Sequence, residues 1–421
     1  MNQANEATFR SYLFFWSGQL VSLLGSSIAQ FVIIWWVTLQ TESAIYLSIA
    51  SFVGFVPQIV LSPFAGVLAD RWSRKKISGV TDFLQALATI VLILLFWLDA
   101  VSIWLILLLL AVRGAFQAFH TPTVSAITPT MVPQDKLSRM NGLNTLFTGA
   151  INLMGPVVAA LLLAIWEIHQ ILWIDAFTFL LALVPLLLIV IPSVRKPLDR
   201  AAAEHKPSFS EEFAAGLGFI RNARGLMPLL ITATMLNFSL TPLSTQLPYY
   251  IRVDHFGGPG DLAFVAAFFG AGSLLGGLTM SILKGFKRKM ATGVLFVYVI
   301  FVGYTIIALT PTGMFWVMAL GALVGSFAPP VFNVSLITIL QTVVPLQMQG
   351  RVNSVLTALA TAAMPVAMII SGPLAEYMGT SYLFLGCVVV GVATLTVSWF
   401  FTDMKHVEDM EASSSETPPS H

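Results

Sequence analysis

Residues 66–76 read Gly66-Val67-Leu68-Ala69-Asp70-Arg71-Trp72-Ser73-Arg74-Lys75-Lys76. This basic turn joins two long apolar runs, which cover residues 44–69 and 77–98. A helix needs roughly 20 residues to cross a hydrocarbon core of about 30 Å. Both runs reach that length, so the turn is predicted to be a short loop between two membrane-spanning helices.

Composition extends this interpretation to the whole chain. Of the 421 residues, 57% are hydrophobic and only 10% are charged, and the mean hydropathy is +0.85. Such a chain has too little polar surface to cover a water-soluble globule, so the lipid bilayer is its expected partner. The net charge of +1 gives no basis for binding nucleic acid. The single cysteine, Cys387, excludes an intrachain disulfide, and we predict no metal site and no cofactor.

The apolar runs predict an all-α transmembrane fold with twelve helices. In the first half the predicted helices cover residues 12–39, 44–69, 77–98, 102–127, 140–165 and 170–191. In the second half they cover residues 226–251, 262–283, 290–309, 314–340, 352–376 and 381–402. The first run is longer than a signal-peptide core of about 7–15 residues, so we expect it to be retained as a helix.

Basic residues predict the orientation of the helices. With the amino terminus placed in the cytoplasm, all of the 21 Lys and Arg residues fall on the cytoplasmic side except Arg113 and Arg252. This bias follows the positive-inside rule. We therefore expect a multi-pass protein of the cytoplasmic membrane with both termini in the cytoplasm.

An internal repeat predicts that the helices form two similar halves. The first copy is Val132-Pro133 followed by Arg139 and Asn141, and the second is Val344-Pro345 followed by Arg351 and Asn353, at an offset of 212. Two shorter matches, residues 65–66 with 276–277 and residues 114–116 with 325–327, have an offset of 211. We expect two pseudo-symmetric six-helix bundles, at residues 1–192 and 225–402, as in carriers that rock around a central site.

Two polar segments complete the predicted organisation. Residues 193–224 form a cytoplasmic linker between the bundles. Apolar residues at helical spacing within it predict a short amphipathic helix on the cytoplasmic surface: Phe209, Phe213, Leu217 and Ile220. Residues 403–421 are polar and contain Ser-Ser-Ser and Pro-Pro, so a disordered cytoplasmic tail is expected.

The turn at residues 66–76 resembles the signature loop of the major facilitator superfamily, G-x-x-x-D-R/K-x-G-R-R/K, with Ser73 in place of the usual Gly. Gly66 suits close helix approach, and Asp70 suits a position near the positive end of a neighbouring helix. The resemblance implies a gate that latches the cytoplasmic side closed, with basic members Arg71, Arg74 and Lys75. Plain positive-inside topology is the alternative explanation for the basic residues.

Helix five carries a second resemblance. Gly155-Pro156 matches part of the antiporter motif G-x-x-x-G-P-x-x-G-G, with Ile151 for the first Gly and Ala159-Ala160 for the last pair. An ordinary helix with a proline kink is the alternative.

Three further segments are similar to the macrolide-efflux, or Mef-type, branch of drug antiporters. They are residues 47–57, residues 118–122 (Ala-Phe-His-Thr-Pro) and residues 370–375. The likeness extends over most of the chain. It implies a twelve-helix secondary transporter that exports drugs in exchange for protons.

Charged groups inside the bilayer are the first candidates for a transport role, because each costs at least about 2.5 kcal/mol to place there. Arg113 lies near the middle of helix four, and Gln117 and His120 follow it on a face that we expect to line the cavity. Asp175 of helix six is the candidate partner of Arg113. A fixed structural ion pair is the alternative to a pair that exchanges a proton.

Two other carboxylates are candidates for coupling. Asp82 lies one to two turns into helix three, where we expect it to pair with the basic loop. Glu376 is predicted at the outer end of helix eleven. A structural role is the alternative for both residues.

Uncharged polar residues at spacings of three or four form stripes that are candidates for the substrate cavity. They are Gln19, Ser22, Ser26 and Gln30 in helix one; Asn141, Asn144, Thr148 and Asn152 in helix five; and Asn237, Thr241 and Ser244 in helix seven. Such stripes also occur as hydrogen-bond seams between helices.

The chain contains no nucleotide-binding P-loop, G-x-x-x-x-G-K-[S/T], so ATP is not expected to drive it directly. We expect a secondary transporter and not an enzyme, which exports a lipophilic, macrolide-like small molecule by proton antiport and functions as a monomer. A siderophore or lysophospholipid carrier, in which Arg113 holds an anionic group, is the alternative. More remote alternatives are a lipid scramblase, a sensor that does not transport, and an intramembrane enzyme such as a protease.

Overall fold

A computed structural model describes residues 5–191, 209–282, 286 and 288–407. Thirteen α-helices occur in this part of the chain. The first six are α1 Glu6–Thr41, α2 Ala44–Arg71, α3 Arg74–Trp97, α4 Ile103–Met131, α5 Gln134–Leu163 and α6 Ile168–Leu188. The others are α7 Phe209–Asn222, α8 Leu226–Tyr249, α9 Pro259–Ile282, α10 Lys289–Ala308, α11 Phe315–Val343, α12 Leu346–Met378 and α13 Thr380–Phe401. A π-helical turn, Tyr250–Asp254, extends α8, and a 3₁₀ turn, Asp403–His406, follows α13.

Twelve of these helices are long and apolar enough to cross a membrane, and only the short helix α7 is not. The predicted all-α transmembrane fold with twelve spans is therefore confirmed. Each half of the chain supplies six of the spans.

Three spans begin six residues earlier than predicted. Helix α1 begins at Glu6 instead of residue 12, α5 at Gln134 instead of residue 140, and α12 at Leu346 instead of residue 352. The predicted starts were wrong because hydropathy detects only the apolar part of a helix. Local chemistry sets the true start: Asn5 caps α1, and its side chain accepts a hydrogen bond from the backbone N–H of Thr8.

The internal repeat has a direct backbone counterpart. Val132 ends α4 with φ −96° and ψ 128°, and Val344 ends α11 with φ −93° and ψ 125°. The prolines that follow are equally similar, with φ −56° and ψ 145° at Pro133 and φ −54° and ψ 142° at Pro345. Proline fits the start of a helix because it lacks the N–H that would have no partner there. The repeated Val-Pro pair thus makes the same extended corner in both halves.

The chain divides into two compact units. The first contains residues 1–196 and 247–270, and the second contains residues 197–246 and 271–421. The end of α8 and the start of α9 therefore group with the first unit, whereas the prediction assigned residues 225–402 to one bundle.

The linker helix α7 packs on the second unit. Ile220 is fully buried in the same core cluster as Val352 and Val355 of α12, and Phe213 and Leu217 pack against that cluster. The apolar face predicted to lie on the cytoplasmic surface is thus covered by protein. Residues 192–208, and the side chain of Phe209, lie outside the described residues.

The expected disorder of residues 403–421 is wrong for the first five of them. Met404 and Val407 are fully buried in the core of the second unit, because the 3₁₀ turn folds the chain back onto it. Arg224 donates a hydrogen bond to Asp403 at 3.0 Å, and this bond lowers the pKa of the Asp403 carboxyl. Residues 408–421 lie outside the described part.

Two helices of the first unit touch through their backbones. Gly114 of α4 faces the carbonyl oxygen of Gly54 in α2 so closely that a Cβ atom at Gly114 would overlap it. Small residues permit such close approach between membrane helices. The contact lies next to Arg113 and fixes where that side chain enters the bundle.

We expect Gly114→Ala to destabilise the first unit, because the backbone of α2 cannot yield as a flexible side chain can. Overpacking of this kind costs about 1–3 kcal/mol. Thermal unfolding in detergent measures the effect, with Gly142→Ala as the matched control because a Cβ there meets nothing within 4 Å. Equal unfolding temperatures for the two variants would contradict the prediction.

Candidate functional site

Four helices of the first unit meet at the carboxylate of Asp175 in α6. Its Oδ2 atom accepts hydrogen bonds from Arg113 of α4 at 2.8 Å and from Thr89 of α3 at 2.7 Å. Its Oδ1 atom accepts one from Ser26 of α1 at 3.0 Å. Gly25 makes the last bond possible, because α1 passes so close to Asp175 that a Cβ there would lie 3.1 Å from the Asp175 Cα. We call Arg113 and Asp175 the central pair.

The central pair is closed to solvent. Asp175 has no exposed side-chain area, and the side chain of Arg113 is 9% exposed. The ring of Phe179 lies 6.0 Å from the guanidinium carbon of Arg113. Each charge is thus matched by the other and by hydroxyl groups, which is the arrangement that allows buried charges to persist.

A second carboxylate, Asp82 of α3, has a different environment. It is 1% exposed, and its Oδ1 atom lies 2.9 Å from Nε2 of His120 in α4. The same Nε2 atom lies 3.0 Å from Oε1 of Gln19 in α1, while Gln19 Nε2 donates to Asp82 Oδ2 over 3.4 Å. The partner that the structure shows for Asp82 is thus His120 of α4, whereas the sequence analysis expected the basic loop.

Gln19 and His120 also line a cavity of about 460 Å³ in the first unit. Its walls come from the first half of α1, the second half of α4 and the first half of α5. The predicted stripe of α5 contributes Asn141, Asn144 and Thr148, and sequence reasoning missed the aromatic wall of Tyr12, Phe15 and Trp16. Trp16 Nε1 donates to Asn144 Oδ1 at 3.1 Å, so the aromatic and polar walls are joined. The volume lies within the range of about 300–1,000 Å³ typical of sites for drug-sized ligands.

Similarity to known proteins places this arrangement in a family. The family model described as Major Facilitator Superfamily matches residues 15–316. The chain belongs to the Major Facilitator Superfamily. The superfamily consists of transporters that are not enzymes, and this chain is a multi-pass membrane protein of that kind.

Two curated relatives within the superfamily are efflux proteins. The chain is 30% identical over 381 residues to "Macrolide efflux protein A" of Streptococcus pyogenes, which covers 90% of this chain and 93% of the relative. It is 28% identical over 366 residues to "Multidrug efflux pump Tap" of Mycolicibacterium fortuitum, covering 83% and 86%. The predicted resemblance to the Mef-type branch is confirmed.

Solved structures of other transporters share the fold. A mutant form of the nucleoside transporter NupG matches with a TM-score of 0.73 and 13% identity, covering 92% of this chain and 99% of that one. A bacterial homologue of the iron transporter ferroportin in its inward-facing state matches with a TM-score of 0.68 and 14% identity, covering 97% and 99%. At such identities the likeness concerns the fold alone.

The superfamily signature loop is only partly visible. Arg74 donates to the carbonyl of Ala126 in the last turns of α4 at 2.8 Å. Lys75 donates to the carbonyls of Leu187 at 2.8 Å and Ile189 at 2.6 Å, at the end of α6. A cation there satisfies carbonyls without helical partners and faces the negative end of the helix dipole. Gly66 lies within α2, and the side chains of Asp70 and Arg71 lie outside the described part of the chain.

The helix-five motif brings α5 against α1. A Cβ atom at Gly155 would lie 2.7 Å from Cβ of Ser27, and Pro156 follows inside α5. The small residue therefore permits close packing of α5 against α1 at Ser27.

Several other predicted residues do not reach the cavity. In the first unit, Gln117 donates to Thr121 of its own helix, Ser22 is buried, and Gln30 and Asn152 are exposed. In the second unit, Asn237 and Thr241 donate to carbonyls of their own helix at positions 233 and 237. Glu376 is exposed near the end of α12.

Thr89 is a hydrogen-bond partner of the central pair that the sequence did not predict. It donates to Asp175 and also accepts from Arg113. The signal was present, since Thr89 lies seven residues after Asp82 and hence on the same face of α3.

Removing one partner of the central pair should strongly destabilise the protein, because the other charge is then left buried. We expect Arg113→Met to cost about 3–5 kcal/mol, and the double variant Arg113→Met with Asp175→Leu to recover much of that loss. The folded yield and the thermal unfolding temperature in detergent test this. Lys136→Met, which breaks an exposed pair with Glu6, is the control and should have little effect. An Arg113→Met protein as stable as the control would exclude the structural role.

Proposed function

We propose that this member of the Major Facilitator Superfamily exports a lipophilic, macrolide-like small molecule across the cytoplasmic membrane in exchange for protons. The two halves alternate access to a substrate cavity, both termini lie in the cytoplasm, and the protein acts as a monomer. The orientation is supported by the basic residues, of which all but Arg113 and Arg252 fall on one side of the predicted spans.

The relatives support the direction and the class of cargo. The two relatives described above are called efflux proteins, for macrolides in one case and for multiple drugs in the other. The cavity of the first unit suits such a cargo, because aromatic side chains and a few amides line it. Flat apolar surfaces with scattered hydrogen-bond groups bind large amphipathic compounds without demanding one shape.

One observation carries the coupling proposal: His120 lines the cavity and its Nε2 atom lies 2.9 Å from Asp82 Oδ1. A histidine beside a carboxylate can take up and release a proton, and here that pair forms part of the cavity wall. Substrate and proton can therefore influence each other through His120.

The two buried carboxylates are unequally supplied with hydrogen bonds. Asp175 accepts three bonds of 3.0 Å or less, including one from a guanidinium. Asp82 accepts one long bond of 3.4 Å from Gln19. The Nε2 atom of His120 lies within 3.0 Å of both Asp82 Oδ1 and Gln19 Oε1. Of the two buried carboxylates, Asp82 therefore has the fewer and longer hydrogen bonds, and it is the one beside the cavity-lining His120. We assign coupling to Asp82 and His120, and a structural role to the central pair.

The exchange cycle follows from this assignment. A proton from the outside binds to the Asp82–His120 pair when the cavity is empty and open to that side. Substrate that enters from the cytoplasm contacts Gln19 and His120, and the proton leaves to the cytoplasm. A bound proton and a bound substrate thus exclude each other, which is the requirement for antiport.

The geometry gives no support to an anionic cargo held by Arg113. That guanidinium is bonded to Asp175 and Thr89 and does not line the cavity.

We expect purified protein in detergent to release protons when erythromycin, a macrolide, is added, and Asp82→Asn to abolish the release while erythromycin still binds. The amide keeps the shape of the carboxyl but cannot exchange a proton. A pH-sensitive dye measures release, and isothermal titration calorimetry measures binding.

The matched control is Asp135→Asn, in the first turn of α5 and outside the cavity lining, which should release protons normally. Release that persists in Asp82→Asn but disappears in Asp175→Asn would return the coupling role to the central pair. Binding without release in the unmodified protein would contradict proton antiport.

We expect Trp16→Ala to weaken erythromycin binding at least tenfold, because truncating a central aromatic anchor typically costs more than about 1.4 kcal/mol. Trp97→Ala, whose side chain is largely exposed and outside the cavity, is the control. Equal affinities of the two variants would place the drug site elsewhere.

A further inference from the structure

Two buried polar groups flank Asp82 on its own helix and have no hydrogen-bond partner among the described residues. They are the hydroxyl of Ser78, four residues before Asp82, and the Nε2 atom of Gln85, three residues after it. Ser78 is fully buried and Gln85 is 4% exposed. Buried polar groups without partners are rare and costly, so each one calls for an explanation.

The geometry of α3 brings these groups to the same carboxylate. Side chains three and four residues apart lie on one helix face, with Cβ atoms about 5–6 Å apart. The Oδ1 atom of Asp82 lacks a hydrogen bond of good geometry, although Nε2 of His120 is near. An unused acceptor thus lies between two unused donors, within reach of a change of side-chain rotamer.

We propose that Ser78 and Gln85 are positioning residues that receive the ionised carboxylate of Asp82 when His120 turns away from it. Asp82 then has two sets of partners. With its proton bound it lies against His120 and Gln19, and with its proton lost it accepts hydrogen bonds from the Ser78 hydroxyl and the Gln85 amide. The proton leaves through His120 to the cavity, and Ser78 and Gln85 keep theirs.

Other charged groups near this site do not supply the same stabilisation. The titratable side chains recorded in contact with this stretch of α3 are His120 of α4, which faces Asp82, and Arg113 and Asp175, which contact Thr89. Arg113 is bonded to Asp175, and α1 contributes only the uncharged Gln19, Ser22 and Ser26. Beside Gln19 and His120, the hydroxyl of Ser78 and the amide of Gln85 are buried donors near Asp82 that have no partner among the described residues.

This inference rests on the proposed proton exchange at Asp82, so its test follows the carboxyl group directly and needs no substrate. Infrared difference spectra of the purified protein at stepped pH report the protonated carboxyl band, and loss of the band in Asp82→Asn identifies it. We expect Gln85→Leu to raise the midpoint of the Asp82 titration by about one pH unit, because a donor to the ionised form is removed.

Ser78→Ala should shift the midpoint in the same direction and keeps the test open if Gln85→Leu fails to fold. Gln117→Leu is the matched control, because Gln117 bonds only within its own helix in the described structure, and its midpoint should equal that of the unmodified protein. Intrinsic fluorescence and thermal unfolding confirm that each variant is folded.

The outcomes separate the two proposals. A titrating Asp82 band with an unchanged midpoint in both Gln85→Leu and Ser78→Ala overturns this inference and leaves proton exchange at Asp82 intact. An Asp82 band that does not change with pH overturns both. A raised midpoint in the variants supports both, whether or not erythromycin is the cargo.

Discussion

A carboxylate without access to water must find all its hydrogen bonds inside the protein, and Asp175 finds them on three different helices. Arg113, Thr89 and Ser26 approach it from α4, α3 and α1. Helix α1 comes this close to α6 because Gly25 has no side chain there, and Gly114, next to Arg113, permits a similar approach of α4 to α2. The charge therefore fixes the spacing and rotation of the helices around it, and the cavity of the first unit depends on that arrangement.

The same unit holds a second buried carboxylate, which has fewer hydrogen bonds. Asp82 lies on α3, seven residues before Thr89, and is equally buried. Its partners are the Gln19 amide, through a long hydrogen bond, and the imidazole of His120, which also lies near Gln19. The hydrogen bonds to Asp175 are thus more complete than those to Asp82, and the two carboxylates suit different roles. In the proposed mechanism the first charge holds the helices together, and the second takes part in proton exchange.

The sequence predicted most of the fold because the signals for it are local. Apolar length gives the spans, and the repeated Val-Pro corners at residues 132–133 and 344–345 give the two halves. Helix ends were less accurate, since Asn5 and the two prolines set them through backbone chemistry and not through hydropathy.

The pairing of Arg113 with Asp175 followed from charge and depth. The pairing of Asp82 did not, because it depends on the rotation of α3 about its axis, which faces Asp82 toward α4. Asn237 and Thr241 show the limit of polar stripes, since hydroxyl and amide side chains can bond to their own helix and need no cavity.

The short turn after α13 gives the end of the described chain a role in the second unit. Met404 and Val407 fill its core, Asp403 is held by Arg224, and Gly225 adopts a positive φ of 80° where a side chain would collide with Val407 and the carbonyl of Asp403. Residues 403–407 therefore pack into the second unit at the place where the linker helix meets the first span. For protein engineering, the useful boundary therefore lies after Val407 and not at the last apolar residue of α13. A fusion partner joined after Val407 leaves Met404 and Val407 packed in the core. One joined at Phe401 removes both side chains from it.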